Sequence, residues 1–222
     1  KTHVAFTTGM ATSREQALEW ADRYHDIHCF DRESQLSWTK SQVDMSHLNI
    51  DPETAYLYQR LGERLLYSDT TLRSPSHQRA INTGIQSSLW PSGISGDLPI
   101  VVLRIAHLKD AMAIRKLLRC HEYLRVKGLV YDLVIINEHP ATYFQKLQDE
   151  IQQQIRTTGS QGWLNKRGGV FILRRDITPE KQIAHVLSVA RVLLSADESL
   201  KDQINRKVID DDYPALLEFD KK

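Results

Sequence analysis

Three short apolar runs, each followed by a charged stretch with helical periodicity, restrict the fold of this chain more than any other feature. The runs occupy residues 100–105, 131–136 and 169–173, and the stretches predict helices at residues 109–126, 142–157 and 179–195. Runs rich in Val, Ile and Leu are typical of strands in a sheet that is covered on both faces. We therefore expect an α/β domain over residues 97–200, with a three-stranded parallel βαβαβα sheet, flanking helices, right-handed crossovers and a central first strand.

The residues before the sheet carry helix signals, which predict a helical N-terminal arm and connecting loop over residues 12–96. Four helices are expected, beginning at a capping-box spacing in residues 12–15, near residue 32, at Asp51-Pro52 and after Ser74-Pro75. Three strands leave two sheet edges without a partner. We expect this arm or a neighbouring module to cover one of those edges.

The two ends differ from the middle of the chain. Residues 3–9 have a strand-like pattern without a nearby hairpin partner, and the first residue is not Met, so we expect a piece of a longer protein. Residues 201–222 are charged and contain Pro214, which is typical of a linker.

Composition narrows the class of partner. The chain is 41% hydrophobic and 26% charged, and its formal net charge is +1. Because no broad positive field is present, nucleic acid is not an expected partner. No apolar stretch approaches the roughly 20 residues of a membrane helix, so direct membrane insertion is not expected. Two cysteines, Cys29 and Cys120, predict free thiols in a reducing compartment.

Polar residues follow all three predicted strands and form the candidate site. The first strand is followed by Arg104 and His107, the second by Asn137, Glu138 and His139, and the third by Arg174, Arg175 and Asp176. Parallel strands bring these positions to one sheet edge, where arginines bind anions and Asn and Glu bind hydroxyls, so the edge could hold a sugar or phosphate. The competing interpretation is a surface ion pair between Glu138 and Arg174 or Arg175.

Other motifs favour structural roles. The glycines of the loop at residues 93–97 precede a strand, whereas phosphate-binding glycine loops follow one, so we expect positive φ angles there and an Asp97 carboxylate that bonds local amides. His25, His28 and Cys29 are too few for a zinc site, and no metal or cofactor is expected. Trp90 and Trp163 lie in predicted loops, where packing is the simpler role.

Several sequence runs together resemble an internal segment of the bacterial cyclic β-1,2-glucan synthases. They are AFTTG at 5–9, LWPSGISGDLPI at 89–100, HEY at 121–123, KGL at 127–129, LVIINE at 133–138 and GGVF at 168–171. The resemblance implies a large inner-membrane protein that makes cyclic glucan from UDP-glucose and has a C-terminal region similar to glycoside phosphorylases. It also implies that residues 1–11 hold the last strand of a preceding β-sandwich module, and that the catalytic residues lie elsewhere.

The resemblance leads to two functional hypotheses. In the first, the chain is a non-catalytic structural or docking segment on the cytoplasmic side of the inner membrane, and its partners are neighbouring domains of the same polypeptide. In the second, it is a ligand-binding module that takes a nucleotide sugar, a sugar phosphate or a glucan end at the carboxyl edge of the sheet.

Overall fold

The computed structural model describes residues 6–67, 70–82, 84–139 and 144–206, which divide into two compact units. The first unit ends at Pro52 and the second begins at Glu53. The predicted opening strand lies partly outside the described residues, and residues 6–9 are not in a strand. Most of the predicted linker, residues 207–222, is also outside them.

Two helices form the first unit, α1 at Arg14–Tyr24 and α2 at Ile27–His47. The Ser13 side chain caps α1 by accepting from the Gln16 N–H, so the cap lies one residue after the expected position. Asp26 caps α2 by accepting from the His28 N–H. This cap starts α2 earlier than the periodicity predicts, because a carboxylate satisfies amides that the first helical turn leaves unpaired.

The remaining helices are α3 at Pro52–Leu66, α4 at Ser76–Ile81, α5 at Ala111–Val126, α6 at Phe144–Thr157, α7 at Glu180–Val189 and α8 at Leu200–Ile204. Short 3₁₀ helices lie at Gln86–Ser92, Leu108–Asp110 and Ser160–Trp163. The strands are β1 at Ile100–Ile105, β2 at Asp132–Asn137, β3 at Val170–Arg174 and β4 at Val192–Ser195.

The sheet is parallel and has four strands in the order β3-β2-β1-β4, so the three-stranded prediction is wrong in number. The fourth strand lies inside residues 179–195, which were expected to form one helix. That helix ends at Val189 because Ala190 adopts an extended backbone (φ −55°, ψ 131°), and Val192 to Ser195 then pair with β1. The central position predicted for β1 is confirmed.

Both faces of the sheet are buried, as its apolar strands predict. On one face, alternate residues of three strands pack with α7 and the 3₁₀ helix Gln86–Ser92; they are Ile100, Val102, Val134, Ile136, Phe171 and Leu173. The intervening residues, such as Leu103, Leu133 and Ile135, point to the other face and are equally buried. Apolar residues of α5 and α6 are buried as well, and these two helices contact each other.

Helix α3 packs against α5. The Gln59 amide donates to the Tyr123 hydroxyl at 2.9 Å, the Tyr58 and Tyr123 rings lie 5.9 Å apart, and Gly62 is close to Leu124. At the outer edge of β4, the Leu193 N–H donates to the Leu72 carbonyl at 2.6 Å. Residues before the sheet therefore cover part of one edge, as expected.

Candidate functional site

The carboxyl ends of the three predicted strands meet at one edge, and Glu138 is the centre of the polar contacts there. Arg104 Nε lies 3.0 Å from Glu138 Oε1, and an Arg175 terminal nitrogen lies 2.8 Å from the same oxygen. Arg175 also pairs with Glu180 at 2.9 Å. Of the two ion pairs considered for Glu138, the structure forms the one with Arg175, and it adds a second with Arg104.

Arg174 and Asp176 form a separate pair. The Arg174 guanidinium donates two hydrogen bonds to the Asp176 carboxylate, at 3.1 and 2.6 Å. These bonds lower the pKa of Asp176 and raise the pKa of Arg174. A bidentate pair of this kind occupies the guanidinium edge that would otherwise bind an anion.

Asn137 and His139 have local structural contacts. The Asn137 side chain is buried, and its amide nitrogen donates to Gln148 Oε1 at 3.3 Å. Its carbonyl oxygen accepts from the His139 N–H at 3.0 Å, which shapes the loop after β2. His107 is exposed and precedes the 3₁₀ helix Leu108–Asp110.

Five of the eight predicted residues are therefore held in ion pairs at this edge: Arg104, Glu138, Arg174, Arg175 and Asp176. Glu138, in the loop after β2, joins Arg104 of β1 to Arg175 of the loop after β3, whereas Arg174 faces Asp176. These pairs are partly buried, since the Glu138 side chain is 14% exposed and the Asp176 side chain is 20% exposed, and each of the three guanidinium groups has a carboxylate partner. A ligand at this rim would have to displace these ion pairs.

Strand β4, which the sequence did not predict, brings further polar residues to this edge. Asp197 follows β4, and Ser195 donates its hydroxyl to the Asp197 carboxylate. That bond, the backbone of Asp197 and the nearby charges of Arg104 and His107 hold the pKa of Asp197 below its usual value. The signal that could have found Asp197 is the apolar run of residues 192–194, which is equally typical of the end of a helix.

The glycine loop before β1 is structural, as predicted. Gly93 and Gly96 have φ angles of +74° and +76°, and a Cβ on Gly96 would lie 2.8 Å from Leu89 Cδ1. Asp97 accepts from Arg167 Nε at 2.7 Å and from the Ser95 hydroxyl rather than mainly from local amides. Those two bonds lower the pKa of Asp97.

The expected free thiols and tryptophan packing have mixed outcomes. Cys29 and Cys120 are free, as predicted. In the described part of the chain, no three His, Cys, Asp or Glu side chains are grouped so that they could hold a metal ion.

Trp163 is 37% exposed and stacks under Arg125, whose guanidinium carbon lies 3.8 Å from the ring centroid. Trp90 is 63% exposed, so it is not part of the core, and interface packing stays a prediction for it.

The first unit presents apolar surface. Helix α1 has no buried residue, and among the described side chains of residues 6–52 only that of Ile50 is buried. Large apolar side chains of the two helices are exposed by between about a third and three quarters of their area; they are Leu18, Trp20, Phe30, Leu36, Trp38 and Val43. A cavity of about 990 Å³ lies between residues 6–11, α1 and the start of α2.

Comparison with known proteins gives one informative match. No protein-family model matches the chain. The chain is 37% identical over 211 residues to the cyclic beta-(1,2)-glucan synthase NdvB of Rhizobium meliloti (strain 1021). The match covers 93% of this chain but 7% of that protein, so the chain spans less than a tenth of the curated relative. None of the helices in the described residues is both long and apolar enough to cross a membrane. The resemblance predicted from the motifs is therefore confirmed, and over almost its whole length this chain matches a segment of a cyclic β-(1,2)-glucan synthase.

Proposed function

We propose that this chain is a non-catalytic structural or docking segment of a cyclic β-1,2-glucan synthase, whose parent polypeptide polymerises glucose from UDP-glucose into cyclic β-1,2-glucan. Its partners in this proposal are neighbouring domains of the same polypeptide, on the cytoplasmic side of the inner membrane. The isolated chain is expected to catalyse neither glucosyl transfer nor phosphorolysis.

One observation carries the proposal: α1 and α2 expose the apolar side chains with which helices normally form a core. Trp38 is 67% exposed, Phe30 is 71% exposed and Val43 is 60% exposed. Large apolar side chains in water are unfavourable, so several of them on one pair of helices favour an interaction site. Burial of one large apolar side chain contributes about 1.5 to 3 kcal/mol, so a few such residues suffice for a stable contact.

The occupant we assign to this surface is flanking polypeptide of the same protein. The matched segment is a small part of the curated relative, and most of that protein's length lies outside it. Domains in one chain meet at a high effective concentration, so a modest apolar contact is enough to hold them together. The paired charges at the sheet edge also favour a structural role over a ligand-binding rim.

Protease sensitivity of α2 tests the proposal. Trp38→Gln removes an indole that is exposed in this chain. In the isolated chain, the variant should therefore be cleaved within residues 27–47 at the same rate as the wild type. In the full-length parent synthase, the same change should accelerate cleavage there by roughly tenfold, since about 1.4 kcal/mol of docking energy is a factor of ten. The matched control is Ile177→Gln, which changes an exposed apolar residue of the second unit, 69% exposed. Equal cleavage rates for wild type and Trp38→Gln in the parent would contradict docking through this face.

A further inference from the structure

The order of the strands creates a crevice beside the polar rim. The paired residues of that rim do not line the crevice; they are Arg104, Glu138, Arg174, Arg175 and Asp176. From β1 the chain adds β2 and β3 on one side, and it then returns to add β4 on the other side. In open parallel sheets, such a reversal separates the loops that follow the two adjacent strands, and ligands bind in the resulting crevice. The position is thus between the carboxyl ends of β1 and β4.

A cavity of about 230 Å³ lies at this position. Leu103 of β1, Leu117 of α5 and Leu194 of β4 line it, and each of these side chains is at most 2% exposed. The apolar lining forms part of the main core of the second unit. The cavity is therefore built on rigid elements of the sheet rather than on a surface loop alone.

The α5 side of the cavity carries two lysines and one aspartate, Asp110. Lys109, in the 3₁₀ helix before α5, and Lys116, in α5, both line the cavity and are both exposed. Within the described residues, neither ammonium group is paired with a carboxylate. Lysine ammonium groups donate charge-assisted hydrogen bonds and bind phosphate as point charges.

The β4 side of the cavity carries acceptors for hydroxyl groups. Asp197 lies on it and is held in place by the Ser195 hydroxyl. Ser199 also lines this side, but its hydroxyl caps α8 and bonds Asp202. The neighbouring Glu198 is paired with Arg206, so its charge is neutralised. The Gln203 amide donates to the Ser195 and Glu198 carbonyls, at 2.8 and 3.0 Å, which fixes the shape of this wall.

We propose that the crevice between β1 and β4 binds a phosphorylated polyol of monosaccharide size, with its phosphate on Lys109 and Lys116 and its hydroxyl groups on the Asp197 side. The size follows from the volume, since sites for drug-sized ligands measure about 300 to 1,000 Å³, which leaves no room here for a nucleotide sugar. Because one side of the cavity carries ammonium groups and the other carries a carboxylate, it favours a ligand that has both an anionic group and hydroxyl groups. This site goes beyond the docking function and uses none of the residues of the first unit.

Calorimetric titration of the whole 222-residue chain with glucose 1-phosphate tests the proposal. We expect binding that is tighter than that of either glucose or inorganic phosphate alone. Lys109→Gln and Lys116→Gln should each weaken it by about tenfold or more, because each removes a charge-assisted hydrogen bond to the phosphate. The matched control is Lys181→Gln, which removes the same charge from an exposed position of α7 and should leave the affinity unchanged.

Three results would overturn the proposal. One is the absence of heat with glucose 1-phosphate at millimolar concentration, provided that circular dichroism shows a folded chain. Another is equal binding of inorganic phosphate and glucose 1-phosphate, which would indicate an adventitious ion only. The last is that Lys181→Gln weakens binding as much as Lys109→Gln and Lys116→Gln do, which would indicate that the overall positive charge of the chain attracts the ligand. None of these results bears on the docking surface, so the two proposals fail independently.

Discussion

The two units of the chain use apolar residues in opposite ways. All six residues of β2 are buried, whereas α1 has no buried residue and four large apolar side chains of α2 are each more than half exposed: Phe30, Leu36, Trp38 and Val43. Stability of a folded unit comes mainly from apolar area removed from water. The comparison indicates that the sheet unit carries its own core, whereas α1 and α2 leave large apolar side chains exposed, which the proposed docking function requires.

Truncation of one leucine in each unit gives the largest contrast. Leu133→Ala removes a side chain that is 0% exposed, and it should lower the free energy of unfolding of the sheet unit by about 3 to 5 kcal/mol. Leu36→Ala removes one that is 56% exposed, and it should change that free energy by less than about 0.5 kcal/mol. Urea unfolding measures both. Similar losses for the two variants would break the comparison.

Acid should weaken the sheet unit through His121. Burial lowers the pKa of this imidazole from 6.5 to about 4. As the pH falls from about 6.5 to 4, the unfolded chain binds a proton at this imidazole that the folded chain does not bind. The free energy of unfolding is therefore highest above pH 6.5 and decreases as the pH falls through this range. The loss should reach up to about 3 kcal/mol.

Unfolding free energies measured between pH 4 and 7 would show this loss. His121→Gln should flatten the profile in that range, and its amide can still donate to the Tyr131 carbonyl that His121 contacts at 3.1 Å. His47→Gln, in the helical unit, should leave the profile as it is in the wild type. A profile for His121→Gln as steep as that of the wild type would contradict the assignment.

A smaller effect is expected at the buried Asp132. Burial raises the pKa of its carboxyl group, nearby Asp97 adds to the rise, and Oδ2 has no hydrogen-bond partner among the described residues. The ionised form therefore costs stability, and the cost appears as the pH rises above the carboxyl's ordinary value and through its raised pKa.

Asp132→Asn should stabilise the chain by about 1 kcal/mol at pH 7 and by less at pH 4, because Oδ1 can still accept from the Gly168 N–H, now at 2.7 Å. Thermal unfolding at the two pH values measures the difference. Asp31→Asn on the exposed surface of α2 is the control and should have no effect at either pH. Destabilisation by Asp132→Asn at pH 7 would show that the carboxylate is needed.

The smallest effect is expected at the polar rim formed by Arg104, Glu138 and Arg175, where Glu138 is mostly buried but its arginine partners stay partly in water. Glu138→Gln weakens two pairs with arginines that are 40% and 39% exposed, so the loss should be about 1 kcal/mol or less. Glu19→Gln, which breaks an exposed pair with Arg23 in α1, is the matched change. A loss above about 3 kcal/mol at Glu138 would mean that the rim is part of the core.

The sequence predicts the parallel sheet well because β1 to β3 are apolar runs separated by long charged helices. It does not reveal β4, because no Gly or Pro separates Val189 from Val192 and the short apolar run of residues 192–194 continues the helical pattern. Asp26 is missed as a helix start for a similar reason, since a single capping residue is a weak signal among charged neighbours.

The sequence predicts where the candidate site lies in the fold, but it does not predict the contacts within the site. Strand direction is enough to put Arg104, Glu138 and Arg175 at one edge. Which carboxylate each arginine meets depends on side-chain reach across neighbouring strands, and sequence spacing holds no information about that. The cavity between β1 and β4 depends on a strand that was not predicted, so its residues could not be named in advance.

Hydrogen exchange compared between the isolated chain and the full-length parent synthase tests the central claim most directly. The account predicts that amides of β1 and β2 are strongly protected in both proteins, because their core is internal. It predicts that amides of α1 and α2 exchange quickly in the isolated chain and at least a hundredfold more slowly in the parent, where a partner covers their apolar face. Equal exchange of α1 and α2 in the two proteins would contradict the account.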